Sequence, residues 1–183
     1  MQQFELTIVE ENYKIIWWVL VVVSGGLAAF LLERVFNLQD LTQTITLTII
    51  ALVLFSIAFR SIYKISEQLY RFHFSIRGND ITIHIYKGDI LYDEQLLHLD
   101  DIEILSLKPR EKPYPGDALF DFSSNYYLVY KEDEDNEYKE VISSDNYSFT
   151  LRITDIGKII QFFMTQNPYI TIPEPYKSFL HFH

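Results

Sequence analysis

The sequence predicts a membrane-spanning α-helical hairpin joined to a mainly-β (α+β) domain, a small bent barrel closed by a C-terminal helix. Three observations carry that prediction. Two apolar runs without a charged residue, 15–32 and 41–59, lie in the first third of the 183 residues. Alternation of period two begins at Phe72. A helical period returns only near Ile156, Ile159, Ile160 and Phe163. The composition, 49% hydrophobic with a mean hydropathy of +0.04, averages over this partition.

Residues 1–12 read as an N-terminal segment and residues 13–64 as the hairpin. The runs hold 18 and 19 residues, which at a rise of 1.5 Å each gives helices of about 27 and 28 Å, close to a hydrocarbon core of about 30 Å. A cleaved signal peptide fits the first run less well. Glu5, Glu10 and Glu11 outweigh Lys14 before it, and it continues past Ser24-Gly25-Gly26 through Phe30-Leu31-Leu32. Residues 33–40 are too few for anything but an antiparallel return. That loop carries Arg34 alone, whereas Lys14, Arg60, Lys64, Arg71 and Arg77 flank the other ends. The positive-inside rule therefore puts both termini in the cytoplasm and the chain in the cell (inner) membrane as a multi-pass protein. Tyr13, Trp17, Trp18 and Tyr63 fall where aromatic residues anchor helices at the interface.

Ser24 with Ala28, and Gly25 with Ala29, form small-xxx-small pairs in the first helix, where close backbone approach drives packing in lipid. The second helix of the same hairpin is the nearer partner, and homo-oligomerisation is the alternative. Thr42, Gln43, Thr44, Thr46 and Thr48 make the start of the second run polar and are expected to find hydrogen-bond partners across the hairpin. Neither run contains an ionisable side chain, the usual mark of an ion or proton path, so a self-contained transporter is disfavoured.

Residues 62–70 extend the second helix, and the β-rich domain covers 70–168. Phe72, Phe74 and Ile76 alternate with polar residues, as do Ile81, Ile83 and Ile85 after Gly78-Asn79. That pair signals a hairpin, and setting Arg77 opposite Asp80 gives one wholly apolar face. The same register sets His73 opposite His84 on the other face. Two imidazoles without a third ligand do not make a metal site. Residues 90–92, 95–99 and 102–107 read as further strands broken by Asp93-Glu94 and Asp100-Asp101. Residues 108–116, with Pro109, Pro113 and Pro115, read as an irregular connection. Residues 126–131 and 138–142 flank an acidic hairpin tip, 132–137, which lacks the spacing of a calcium loop. A strand over 148–153 then leads into a helix with Thr154 as N-cap, stopped at Asn167-Pro168.

Two N-terminal spans, then antiparallel strands and a final helix, opening with Phe4-Glu5-Leu6-Thr7 and Glu10-Glu11-Asn12-Tyr13, resemble the bacterial membrane proteins with a pleckstrin-homology-like (PH-like) domain, such as the YcxB-like family. The resemblance implies a PH-like domain and assigns no catalytic or ligand-binding residue to any position.

The chemistry-bearing residue types exclude several function classes. Zero Cys removes disulfide scaffolds, Cys-based zinc sites and thiol nucleophiles. Six Gly, none in a phosphate-binding arrangement, leave no nucleotide cradle, and no nucleophile elbow or paired-His metal motif occurs. From Arg60 onward, 13 Lys and Arg stand against 20 Asp and Glu, a formal charge of −7 that makes nucleic acid a poor partner. No catalytic, cofactor-binding or metal residue is therefore expected, and no enzyme. The expected function is a membrane-anchored interaction module or accessory subunit of a membrane complex, bound to the bilayer by its two helices and to a protein partner. A lipid-headgroup reader and an enzyme of unrecognised type are the alternatives. The tail, 169–183, is apolar and Pro-containing, and Tyr169, Ile172, Tyr176, Phe179 and Phe182 are its candidate docking residues. Pro168, Pro173 and Pro175 are expected to keep it extended, either against its own domain or against a partner. His181 and His183 have no expected role.

Overall fold

The computed structural model of the protein describes residues 4–109, 126–132, 137–143, 149 and 151–179. Two compact units are present: one runs from Asn12 to Gln68, and the other joins the residues up to Glu11 with those from Leu69 onward.

The first unit holds α1, Lys14–Val35, and α2, Leu41–Ser66. Asp40 starts α2 by accepting hydrogen bonds from the backbone of Thr42 (2.8 Å) and Gln43 (3.3 Å), satisfying two donors that a helix N-terminus leaves open. The helix ends at Ser66, short of Tyr70, because Glu67 already takes an extended conformation. Both helices are long and apolar enough to cross a membrane.

The second unit is built on two antiparallel sheets. The first has four strands in the order β1–β2–β3–β4: β1 is Glu5–Val9, β2 Tyr70–Arg77, β3 Asp80–Lys87 and β4 Ile90–His98. The β2–β3 register pairs Arg77 with Asp80, Ile76 with Ile81, Phe74 with Ile83, His73 with His84 and Phe72 with Ile85, as the alternation predicts. Gly78 makes the turn at φ 64°, a conformation that costs glycine little. Residues 5–9, within the stretch set apart by sequence as an N-terminal segment, pair Leu6 with Phe74 and Ile8 with Phe72, so the hairpin unit is inserted between two adjacent strands.

Several strand boundaries need correction. Residues 90–92 and 95–99 are one strand, β4, because a register shift opposite Ile85 and Tyr86 absorbs an extra residue instead of ending the ladder. Leu99–Asp101 is a single 3₁₀ turn. The second sheet, β5–β6–β7, comprises Ile102–Pro109, Tyr126–Glu132 and Tyr138–Glu140. Lys108 and Pro109 thus belong to β5 and not to an irregular connection; a proline at a strand terminus removes only a peripheral donor. The remainder of that connection, 110–116, and residues 133–136 of the acidic tip lie outside the described residues.

Helix α3 spans Ile153–Gln166, with Arg152 and not Thr154 at the N-cap position and no side-chain cap. Ile153 is therefore helical, and Leu151 and Arg152 are not strand residues, which removes the described part of the expected final strand. Ile156, Ile159, Ile160, Phe162 and Phe163 are buried. Phe162 and Phe163 each meet Phe74 edge-on at 6.3 Å, which seats α3 on the apolar face of the first sheet. Among the described residues the sheets are not closed into a barrel. The 3₁₀ turn separates β4 from β5, and the outer edge of β5 is taken instead by Thr171, which forms a parallel bridge with Ile104. One core nonetheless unites both sheets, α3 and Ile170 and Ile172.

Candidate functional site

The hairpin is the first candidate element, and its geometry follows from small residues. Trp17, Ser24 and Ala28 are buried on α1, and Ala51, Ala58 and Ser61 on α2. A methyl group placed on Gly25 would meet the Cβ of Ala58 at 4.0 Å, so the two backbones approach closely there. Ser24, Gly25 and Ala28 thus face the second helix of the same hairpin, whereas Ala29 is exposed. The threonines of α2 do not bridge to α1. Thr44, Thr46 and Thr48 donate to the carbonyls of Asp40, Thr42 and Thr44 at 2.8, 2.9 and 2.7 Å. A hydroxyl reaches the carbonyl four residues back on its own helix more readily than a partner across an interface, which corrects the cross-hairpin expectation. The remaining surface is apolar: only 17% of either apolar window is buried, and Ile15, Trp18, Val22, Leu52 and Phe59 project outward.

A second feature is a polar row across the outer face of the first sheet. One side chain comes from each strand: Thr7, His73, His84 and Glu94. Thr7 Oγ1 lies 2.9 Å from His73 Nδ1, the two imidazole centroids are 6.2 Å apart, and His84 Nε2 lies 3.3 Å from Glu94 Oε2. His84 Nδ1 is buried without a hydrogen-bond partner. Among the described residues no group of three or more His, Asp or Glu side chains is placed to hold a metal ion. His98, at the end of β4, contacts Asp80 at 2.7 Å and takes no part in the row. His181 and His183 lie outside the described residues.

A third feature is a small apolar pocket lined by Tyr126, Tyr127, Leu128, Ile142, Phe149, Leu151 and Ile156. Sequence reasoning missed it because its walls come from four separated segments. Near it in sequence, Tyr130 is buried, and burial together with the adjacent Glu132 holds its hydroxyl above the ordinary tyrosine value of 10.0. Glu132 also pairs with Lys139 at 2.7 Å.

The candidate docking residues of the tail separate sharply. Tyr169 is 89% exposed, whereas Ile172 is buried in the core and Tyr176 packs against it. Residues on either side of that bridge form a backbone ladder, Leu105 N–H to the Thr171 carbonyl and Thr171 N–H to the Glu103 carbonyl, both 2.9 Å. The tail is not extended throughout: Glu174–Phe179 forms a short helix, α4, with Pro175 in its first turn, where a missing N–H costs nothing. The side chain of Phe179 and all of Phe182 lie outside the described residues. No protein-family model and no curated protein sequence matches this chain.

Proposed function

We propose that this chain is a membrane-anchored, non-catalytic interaction module, an accessory subunit that holds its β-rich domain at the cytoplasmic face of the cell (inner) membrane. The observation that carries the reading is the pairing of β1 with β2. These strands precede and follow the apolar hairpin, and their ladder, closed by Glu10 N–H to the Tyr70 carbonyl at 2.8 Å, supports a topology in which both ends of the hairpin emerge on one side of a bilayer. Two spans are compatible with that topology and one is not. The basic residues at Lys14, Arg60 and Lys64, against Arg34 alone in the loop, favour the cytoplasm as that side. The PH-like reading draws on the seven strands in two antiparallel sheets and the amphipathic helix that follows them among the described residues, and the YcxB-like reading on the sequence of residues 4–7 and 10–13.

The interaction role is supported by the exposed apolar residues that the β-rich unit presents, such as Leu96 and Tyr169. Affinity purification of the full chain from solubilised membranes tests it. A partner recovered in constant ratio, and lost on Leu96→Asp or Tyr169→Asp, is expected. Recovery of the chain alone, from membranes crosslinked before solubilisation, would overturn the reading.

A further inference from the structure

We propose that the end of the first sheet at which the chain leaves β1 and enters β2 rests in the lipid headgroup layer, with Val9, Ile90, Leu91 and Tyr92 as its lipid-facing residues. This rests on the membrane reading above and adds a third contact to the two helices.

Chain length limits how far this end of the sheet can stand from the ends of the helices. Three residues, Glu67, Gln68 and Leu69, connect the end of α2 to Tyr70, a reach of at most about 14 Å, and Val9 is at most about 18 Å from Lys14, where α1 begins. Both tethers enter the same end of the sheet. That end is completed by the turn between β3 and β4, since Tyr70 pairs with Lys87, Lys87 pairs with Ile90, and Gly88 N–H donates to the Leu69 carbonyl at 3.2 Å. The opposite end, with Gly78 and Asn79, lies a full eight-residue strand away, about 26 Å.

The tethered end has the composition of an interface. The last row that all four strands share there reads Val9, Arg71, Tyr86 and Leu91. The outer two are half exposed, and the Arg71 guanidinium lies 5.0 Å over the Tyr86 ring between them. Beyond the row, Ile90 is 71% exposed and Lys87 sits over the Tyr70 ring at 5.1 Å; just inside it, half-exposed Tyr92 packs edge-on against Tyr70. Partly exposed Tyr86 with a cation stacked on it, beside half-exposed Tyr92 and rimmed by aliphatic side chains, matches the boundary where apolar and hydrated layers meet. Asp89 at the turn tip is fully exposed and lies 3.8 Å from Arg71, so Arg71 and Lys87 are offset by Asp89 and Glu10. The contact is accordingly one of apolar insertion and not of attraction to anionic headgroups.

The absence of native cysteine allows single thiols to be introduced and spin-labelled. Full-length Leu91→Cys, Asn79→Cys and Val22→Cys proteins are reconstituted in nanodiscs of phosphatidylcholine and phosphatidylglycerol, and collision with oxygen is compared with collision with a water-soluble nickel chelate. A label at Leu91 is expected to show a higher oxygen-to-nickel ratio than one at Asn79, unchanged when phosphatidylglycerol is omitted. Equal ratios at Leu91 and Asn79, with Val22 in lipid, overturn this contact and leave the membrane reading intact. A water-exposed label at Val22 overturns both.

Discussion

Replacing Phe74 by Ala tests the assignment of faces at its most sensitive point. Phe74 is completely buried on β2, paired with Leu6 and Ile83 on its neighbours and packed edge-on against Phe162 and Phe163 of α3. Truncating such a side chain removes its transfer free energy and leaves a cavity, at a cost of about 3–5 kcal/mol. A domain of this size has on the order of 5–15 kcal/mol of stability, so the loss is a large part of the whole. His84→Ser on the opposite face removes a partly exposed side chain that meets Glu94, His73 and Tyr86 without entering the core and is expected to change stability by less than about 1 kcal/mol. The assay is amide hydrogen exchange over residues 70–87 in detergent-solubilised protein. At 1.36 kcal/mol per factor of ten, Phe74→Ala lowers protection of the slowest amides by roughly two to four orders of magnitude. Equal effects of the two variants, or none from Phe74→Ala, would refute the argument from alternation.

Three further outcomes are expected. Gly25→Leu forces α1 away from Ala58 and destabilises the hairpin by about 1–3 kcal/mol, whereas Ala29→Leu is neutral in stability and disrupts only an oligomer, if size-exclusion chromatography in detergent shows one. Ile172→Ala costs the second unit about 2–5 kcal/mol in urea unfolding, while Tyr169→Ala, at an exposed position, leaves it unchanged. The folded state raises the Tyr130 pKa above 10.0, so its contribution is complete below that pH and is lost as pH rises through the folded value; Tyr130→Phe should therefore reduce the loss of stability measured by alkaline titration between pH 10 and 12.

What sequence made legible was local and periodic. The two apolar runs and the Phe72–Ile85 alternation fix their own elements, because burial of a continuous face leaves one register available. Strand β1 escaped notice since it is only five residues long and is separated from its partner by the whole hairpin. The barrel expectation failed at a non-local point: nothing in residues 99–101 announces that they interrupt pairing, nor that Thr171 will occupy the edge of β5. The small residues Ser24, Gly25 and Ala28 were readable as a packing face because size alone decides close approach. The polar row needed the β1 and β4 registers before Thr7 and Glu94 could join the two histidines.

The most direct test of the central claim is thiol accessibility on either side of the membrane. With no native cysteine to interfere, Gln39→Cys in the loop between α1 and α2 and Asn79→Cys in the β2–β3 turn are exposed to a membrane-impermeant maleimide in intact cells whose outer envelope has been opened. The account predicts labelling at residue 39 at once and at residue 79 only after the inner membrane is permeabilised. Labelling of both before permeabilisation, or of residue 79 alone, would contradict it.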